Sequence, residues 1–272
     1  MSVQSSRVKI LAVIFFLLAG SETSLGTTVV LGVSAKRIVV AADSRATNPT
    51  SGRYHDDECK IITIHDLAFT MTGLFQEAAA DSSVMWNGYE VSRRASQAVA
   101  ATSALIDELP ERWADEMVSI LNRRPVAGWI NDGFINQALF AGIAKTGELT
   151  VKLVRLTYDP ATQRVNRSTD TLVLDPQNSS NQAVMYYTAL GQADIAQEFV
   201  FQRTDRARTE ADSWRLDMAD KSDEERQWRK AARLVDLAAA YESNQKVGGE
   251  IDVIELTATG THWWQRKETC RE

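Results

Sequence analysis

Thr27 is the first residue whose surroundings suggest chemistry. It follows Ser24-Leu25-Gly26, with small residues at the last position and two before it, as at the cleavage point of a secretory signal peptide. Cleavage after Gly26 would leave Thr27 as the N-terminus. A threonine hydroxyl is a poor nucleophile and needs a base within hydrogen-bond reach. A terminal α-amine, with a reference pKa near ~8, supplies that base directly or through a water. No histidine is then required. Asp43, Lys60 and Gly73 follow in order. A lysine ammonium beside the amine favours its neutral form by like-charge repulsion, and an aspartate keeps the lysine charged and oriented. A glycine backbone N–H can stabilise a tetrahedral oxyanion, typically by ~3 kcal/mol. The set suits amide hydrolysis through an acyl-enzyme on Thr27 Oγ1. Each member also has a plain structural reading: Asp43 as a strand-end turn residue, Lys60 as a surface charge and Gly73 as a turn residue.

The local wording adds to this. Gly26-Thr27-Thr28-Val29-Val30, then Ala41-Ala42-Asp43-Ser44-Arg45-Ala46-Thr47, then Lys60 and Phe69-Thr70-Met71-Thr72-Gly73 resemble the catalytic β-subunits of the proteasome. Those are N-terminal nucleophile (Ntn) hydrolases, in which a Gly-Thr bond is cut to free the threonine. The resemblance covers residues 26–81. The Thr27-to-Asp43 interval matches, and Lys60 stands one residue late, which an insertion around Ser51-Gly52-Arg53-Tyr54-His55 absorbs. It implies an α+β fold, a four-layer αββα sandwich of two antiparallel sheets flanked by helices. Thr27, Asp43, Lys60 and Gly73 become the catalytic set. Thr47 would align an extended substrate through backbone hydrogen bonds, and Met71 would line the pocket for the side chain before the cut.

The family's usual pattern also carries a serine in a Gly-Ser-Gly turn and a late Asp-x-x-Ser-Gly-Gly. Here Gln192, Asn244 and Val247 stand at those supporting positions, while Gly191, Gly248 and Gly249 are retained. Asp194 and Ser243 are candidates to take over the supporting role. The reading is therefore a threonine-type peptidase or amidase, with a non-catalytic Ntn-fold scaffold or binding protein as its alternative. An amidase acting on a non-peptide substrate and a membrane-tethered, uncleaved protein are further rivals. The resemblance permits a homo-oligomeric ring. Outside the cytosol no ATP drives an unfolding partner, so no ATPase is expected, and peptides or small amides become the substrates.

The envelope agrees with an exported domain. Arg7 and Lys9 precede the apolar run Ile10 to Ala19, too short to cross a bilayer core, and polar Ser21 to Ser24 follow. Residues 1–26 thus read as a signal peptide or propeptide and 27–272 as one domain, secreted or periplasmic, or membrane-anchored if uncleaved. The 272 residues are 44% hydrophobic and 24% charged, with a net charge of -6. That balance fits a packed globular protein and argues against a nucleic-acid partner. Cys59 and Cys270 cannot build a disulfide framework, and with His55, His65 and His262 they show no metal-ligand spacing. Packing alone is expected to hold the fold, with Cys59 as a small buried hydrophobe and no metal or cofactor.

Several elements can be placed in advance. Val29–Val33 and Ile38–Ala42 read as a hairpin, and 60–64 with 67–71 as a second. Helical periodicity runs from Glu77 to about Leu121 with a break at Pro110. Strands are expected at 134–144 and 149–158, an edge from 171–175 and 183–190, then helices to about Ser243. Strands at 250–256 and 262–265 close the chain. The charged stretch Arg203 to Arg233 reads as a solvated helical face laced with ion pairs. Asn166-Arg167-Ser168 and Asn178-Ser179-Ser180 are sequons that would suit glycosylation in a eukaryotic host.

Overall fold

The computed structural model describes residues 27–47, 54–78, 84–100, 103–123, 133–174, 185–191, 193–241 and 247–270. The expected leader 1–26 and the second sequon lie outside these residues, as do Gln192, Ser243 and Asn244. Two five-stranded antiparallel sheets dominate. The first has the order β12-β1-β2-β13-β14, built from Tyr186–Gly191, Thr28–Val33, Arg37–Asp43, Ile251–Thr257 and Gly260–Gln265. The second has the order β11-β10-β9-β6-β5, from Arg164–Leu174, Leu149–Asp159, Phe134–Ile143, Leu67–Gly73 and Ile61–Ile64. Short pairs β3 (Ala46–Thr47) with β4 (Tyr54–His55), and β7 (Gln76–Ala78) with β8 (Val84–Asn87), complete the strands.

Strand alternation explains the layering. On β1 and β2, Val29, Leu31, Ile38 and Val40 pack against Ala68, Leu139, Val151 and Leu153 of the second sheet. The alternate residues Val30, Val39 and Ala41 face the opposite way, against Ala196, Leu234, Val235 and Ala238. Those last four sit on helices α3 (Asp194–Val200) and α5 (Asp223–Tyr241), beside α4 (Asp205–Asp217). The outer face of the second sheet is covered by α1 (Gly88–Gln97) and α2 (Leu105–Leu121), centred on the aromatic contacts of Phe69 with Trp113 and Phe140. The chain is therefore α+β, with two antiparallel sheets and five α-helices among the described residues, compatible with a layered sandwich.

Three expectations need correction. The segment after Glu77 begins as strands, not helix: β7 and β8 pair, and helix starts only where Asn87 accepts from the backbone N–H groups of Tyr89 and Glu90. Pro110 does not end a helix but lies buried inside α2. One helix instead ends at Gln97 and the next begins at Leu105. Finally, Cys59 and Cys270 form a disulfide, with Cα atoms 5.6 Å apart. Cys59 is partly exposed rather than buried, and packing is not the sole tie. A 211-residue separation conceals that proximity from any sequence-local reading.

Elsewhere the sequence expectations meet the structure closely. Both early hairpins form, β11 begins at Arg164 rather than 171, and the charged stretch carries ion pairs such as Arg229–Glu225, Arg206–Glu198 and Arg233–Glu210. Asn166 is exposed on edge strand β11. His65 and His262 are exposed, as read for surface histidines.

Candidate active site

Thr27 immediately precedes β1, and the antiparallel neighbours of β1 determine what surrounds it. Pairing with β2 puts Asp43 at the strand end beside Thr28, whose backbone N–H donates to Asp43 Oδ1 at 2.8 Å. Pairing with β12 brings Gly191 opposite Thr28. A Cβ on Gly191 would fall 2.0 Å from the Thr27 carbonyl oxygen and 2.9 Å from Thr72 Cβ, so only glycine lets the three chains approach. That contact also brings the end of β6, which closes on Gly73, to the same corner.

Lys60 reaches Thr27 from the second sheet. It directly precedes β5, and its Nζ donates to Thr27 Oγ1 at 2.8 Å. Both residues are 1% exposed. Burial acts first on the two ionisable partners: the Asp43 carboxyl is pushed up to about 6, although Lys60 and three backbone N–H donors pull it down. The same desolvation lowers the Lys60 ammonium, with Asp43 opposing it. A lysine depressed in this way exchanges its proton with a neighbouring hydroxyl more readily than an exposed one.

Residues that sequence reasoning passed over complete the support. The Phe75 ring lies 4.6 Å from Lys60 Nζ, and the Tyr89 hydroxyl donates to the Lys60 carbonyl at 3.0 Å. Burial drives the Tyr89 phenol well above its usual value, so it stays a donor. Neither residue has a spacing signal. Tyr89 is brought there by helix α1, whose Asn87 cap is visible in the sequence only as Asn-Gly-Tyr-Glu.

Asp43 owes its orientation to a turn more than 200 residues later. Its Oδ2 accepts from Gly248 N at 3.1 Å and Arg45 N at 3.3 Å, while Ser44 and Arg45 N–H groups both donate to the Gly248 carbonyl. Arg45 makes a two-point ion pair with Asp56, at 2.6 and 2.7 Å, and its guanidinium covers Gly248. Ser44 Oγ donates to the Asp56 carbonyl. Asp-Ser-Arg and Gly248-Gly249 are thus one interlocked structure, which explains the retained glycines. Val247, next to this turn, is buried and apolar.

The remaining site residues stand apart in different ways. Gly73 has φ +83, and a Cβ there would lie 2.5 Å from the Ile135 carbonyl, so its glycine has a structural reason of its own. Met71 is 1% exposed and packs in the helix-side core against Gly88. Thr47 lies on β3 opposite Tyr54. Asp194 is exposed at the start of α3. Among the described residues no group of acidic, histidine or cysteine side chains is arranged to hold a metal ion, and no helix is long and apolar enough to cross a membrane.

No family model matches the chain, and no curated protein matches it.

Proposed function

We propose that the chain is a proteasome-β-like Ntn hydrolase, exported and processed after Gly26, that hydrolyses amide bonds with Thr27 as nucleophile. The observation that carries this reading is the 2.8 Å hydrogen bond between Lys60 Nζ and Thr27 Oγ1, with Asp43 behind it in a buried corner. A surface lysine and a turn aspartate have no reason to be desolvated together against a threonine hydroxyl. The two facing sheets with helices on their outer sides support the four-layer αββα form of the proposal.

Once Thr27 is terminal, two amines border its hydroxyl. The α-amine accepts the proton from Oγ1 as the oxygen attacks the carbonyl carbon of the substrate amide, and Lys60 holds the developing alkoxide. The tetrahedral oxyanion rests on the Gly73 N–H, and the leaving amine departs with the proton. Water, deprotonated by the α-amine, then attacks the Thr27 ester and releases the acid. Thr47 aligns the substrate backbone. Short or unfolded peptides and small amides are the substrate class, met outside the cytosol or in the periplasm.

N-terminal sequencing or intact mass of protein from its native host is the decisive test. A chain beginning at Thr27 supports the proposal, and a chain beginning elsewhere defeats the mechanism. With Thr27 terminal, a peptide boronate or epoxyketone should label the wild type and leave Thr27→Ala unlabelled.

Val247 favours a second reading, a non-catalytic Ntn-fold scaffold, because an apolar buried residue there cannot support the terminal amine. A free Thr27 that resists every electrophile would select it.

A further inference from the structure

On the helical side of the first sheet a cleft of ≈ 390 Å³ opens between β12, α4 and the start of α5. It lies away from the Thr27 corner: Tyr187, which forms part of it, is four positions along β12 from Gly191. Its basic side chains differ in their pairing. Arg215 is held by Asp212 at 2.9 Å, and Arg226 pairs with Asp223. Lys230 is only partly exposed and, among the described residues, is joined to no carboxylate. Its Nζ lies 4.8 Å from the centre of the Tyr187 ring, and that ring is fixed by the Tyr187 hydroxyl donating to the Gln227 carbonyl at 2.9 Å. An aromatic face tolerates an ammonium group but does not neutralise it. Burial, with Arg215 as the next cause, lowers the Lys230 ammonium below the ordinary lysine value, in keeping with a cation that lacks a counter-charge.

The walls supply the rest of a recognition site. Trp214 of α4 and Met218 just after it line the same cleft, giving flat and polarisable apolar surface around one unpaired positive charge. Counting Arg215, Arg226 and Lys230 against Asp223, the lining is net cationic. We propose that this cleft is a second binding site, for a small organic anion with an aromatic body, whose carboxylate pairs with Lys230 while its ring lies against Trp214. It is independent of the chemistry proposed for Thr27. Such a ligand would bridge α4 and α5, the helices that carry Trp214 and Lys230.

The probe is 2-naphthoate, titrated into the full domain by calorimetry, with 2-naphthylmethylammonium as the charge-reversed control. One saturable site for naphthoate is expected, with at least about tenfold weaker binding of the ammonium analogue. Lys230→Met should weaken naphthoate binding by at least about tenfold, whereas Lys230→Arg should retain it, with circular dichroism melts establishing that both variants are folded. Should Lys230→Met fail to fold, the charge preference of the wild type and the Lys230→Arg result still decide. Absence of saturable naphthoate binding, equal binding of the two probes, or affinity unchanged in a folded Lys230→Met variant overturns the proposal.

Discussion

Replacing Asp43 by asparagine keeps the shape of the side chain and removes its charge. In the native corner the carboxylate accepts from Thr28 N, Gly248 N and Arg45 N and is the counter-charge for Lys60. An amide cannot accept on both sides, so at least one buried N–H is left facing an NH2 group, at about 1–3 kcal/mol. Lys60, 1% exposed, loses the nearby negative charge that offsets its burial, for which the cost of breaking a directly bonded buried pair, about 3–5 kcal/mol, is the upper bound. Since Lys60 can shed part of that cost by losing its proton, a total destabilisation of about 4–6 kcal/mol is expected. For a chain of this size that corresponds to a Tm lower by roughly 10–20 °C. The second variant separates charge from geometry. Asp43→Asn with Lys60→Met removes the uncompensated ammonium and should be more stable than Asp43→Asn alone by about 2–3 kcal/mol. Thermal melts followed by circular dichroism, with urea unfolding, measure both. If Asp43→Asn melts within about 3 °C of the wild type, or if adding Lys60→Met gives no recovery, the buried Asp43 charge is not what organises the corner.

Four further outcomes follow from the same geometry. With Asp43 pushed up to about 6, labelling of Thr27 by a boronate should rise with pH through about 6, and Asp43→Asn should lack that limb. Because this carboxyl binds its proton more readily folded than unfolded, its contribution to stability falls as pH rises from about 4 to about 6, which acid-range melts would detect. The Cys59–Cys270 bond closes a 211-residue separation, for which the chain-entropy model gives up to about 5 kcal/mol. Native protein should show no thiol after denaturation without reductant, and Cys270→Ser should lower the melting temperature; free thiols in the native protein would remove the bond from the account. Gly191→Ala and Gly147→Ala both place a side chain at positive φ, but only Gly191 would drive its Cβ against Thr27, whereas Gly147 meets nothing within 4 Å. Gly147→Ala should cost about 1 kcal/mol, and Gly191→Ala should cost several times more and abolish labelling; equal costs would show that crowding at Thr27 is not real.

What the sequence alone determined is what rests on local pattern. Alternation in β1, the apolar run of β2 and turn residues around β6, β9 and β10 placed these strands within a few residues, because a strand with one face in each core must alternate or be apolar throughout. The set Thr27, Asp43, Lys60, Gly73 was readable only through the resemblance of its local wording to a known family, since each residue alone has an ordinary structural reading. Only the tertiary structure decided the rest. Gly248 meets Asp43, Gly191 meets Thr27 and Cys270 meets Cys59 across long stretches of chain, and no local periodicity encodes such contacts. Phe75 and Tyr89 carry no local signal, and only packing sets them around Lys60. The division has one cause: backbone propensity acts over a few residues, whereas the pairing of strands distant in the chain sets which side chains lose water together, and that desolvation makes Lys60 and Asp43 more than an ordinary lysine and aspartate.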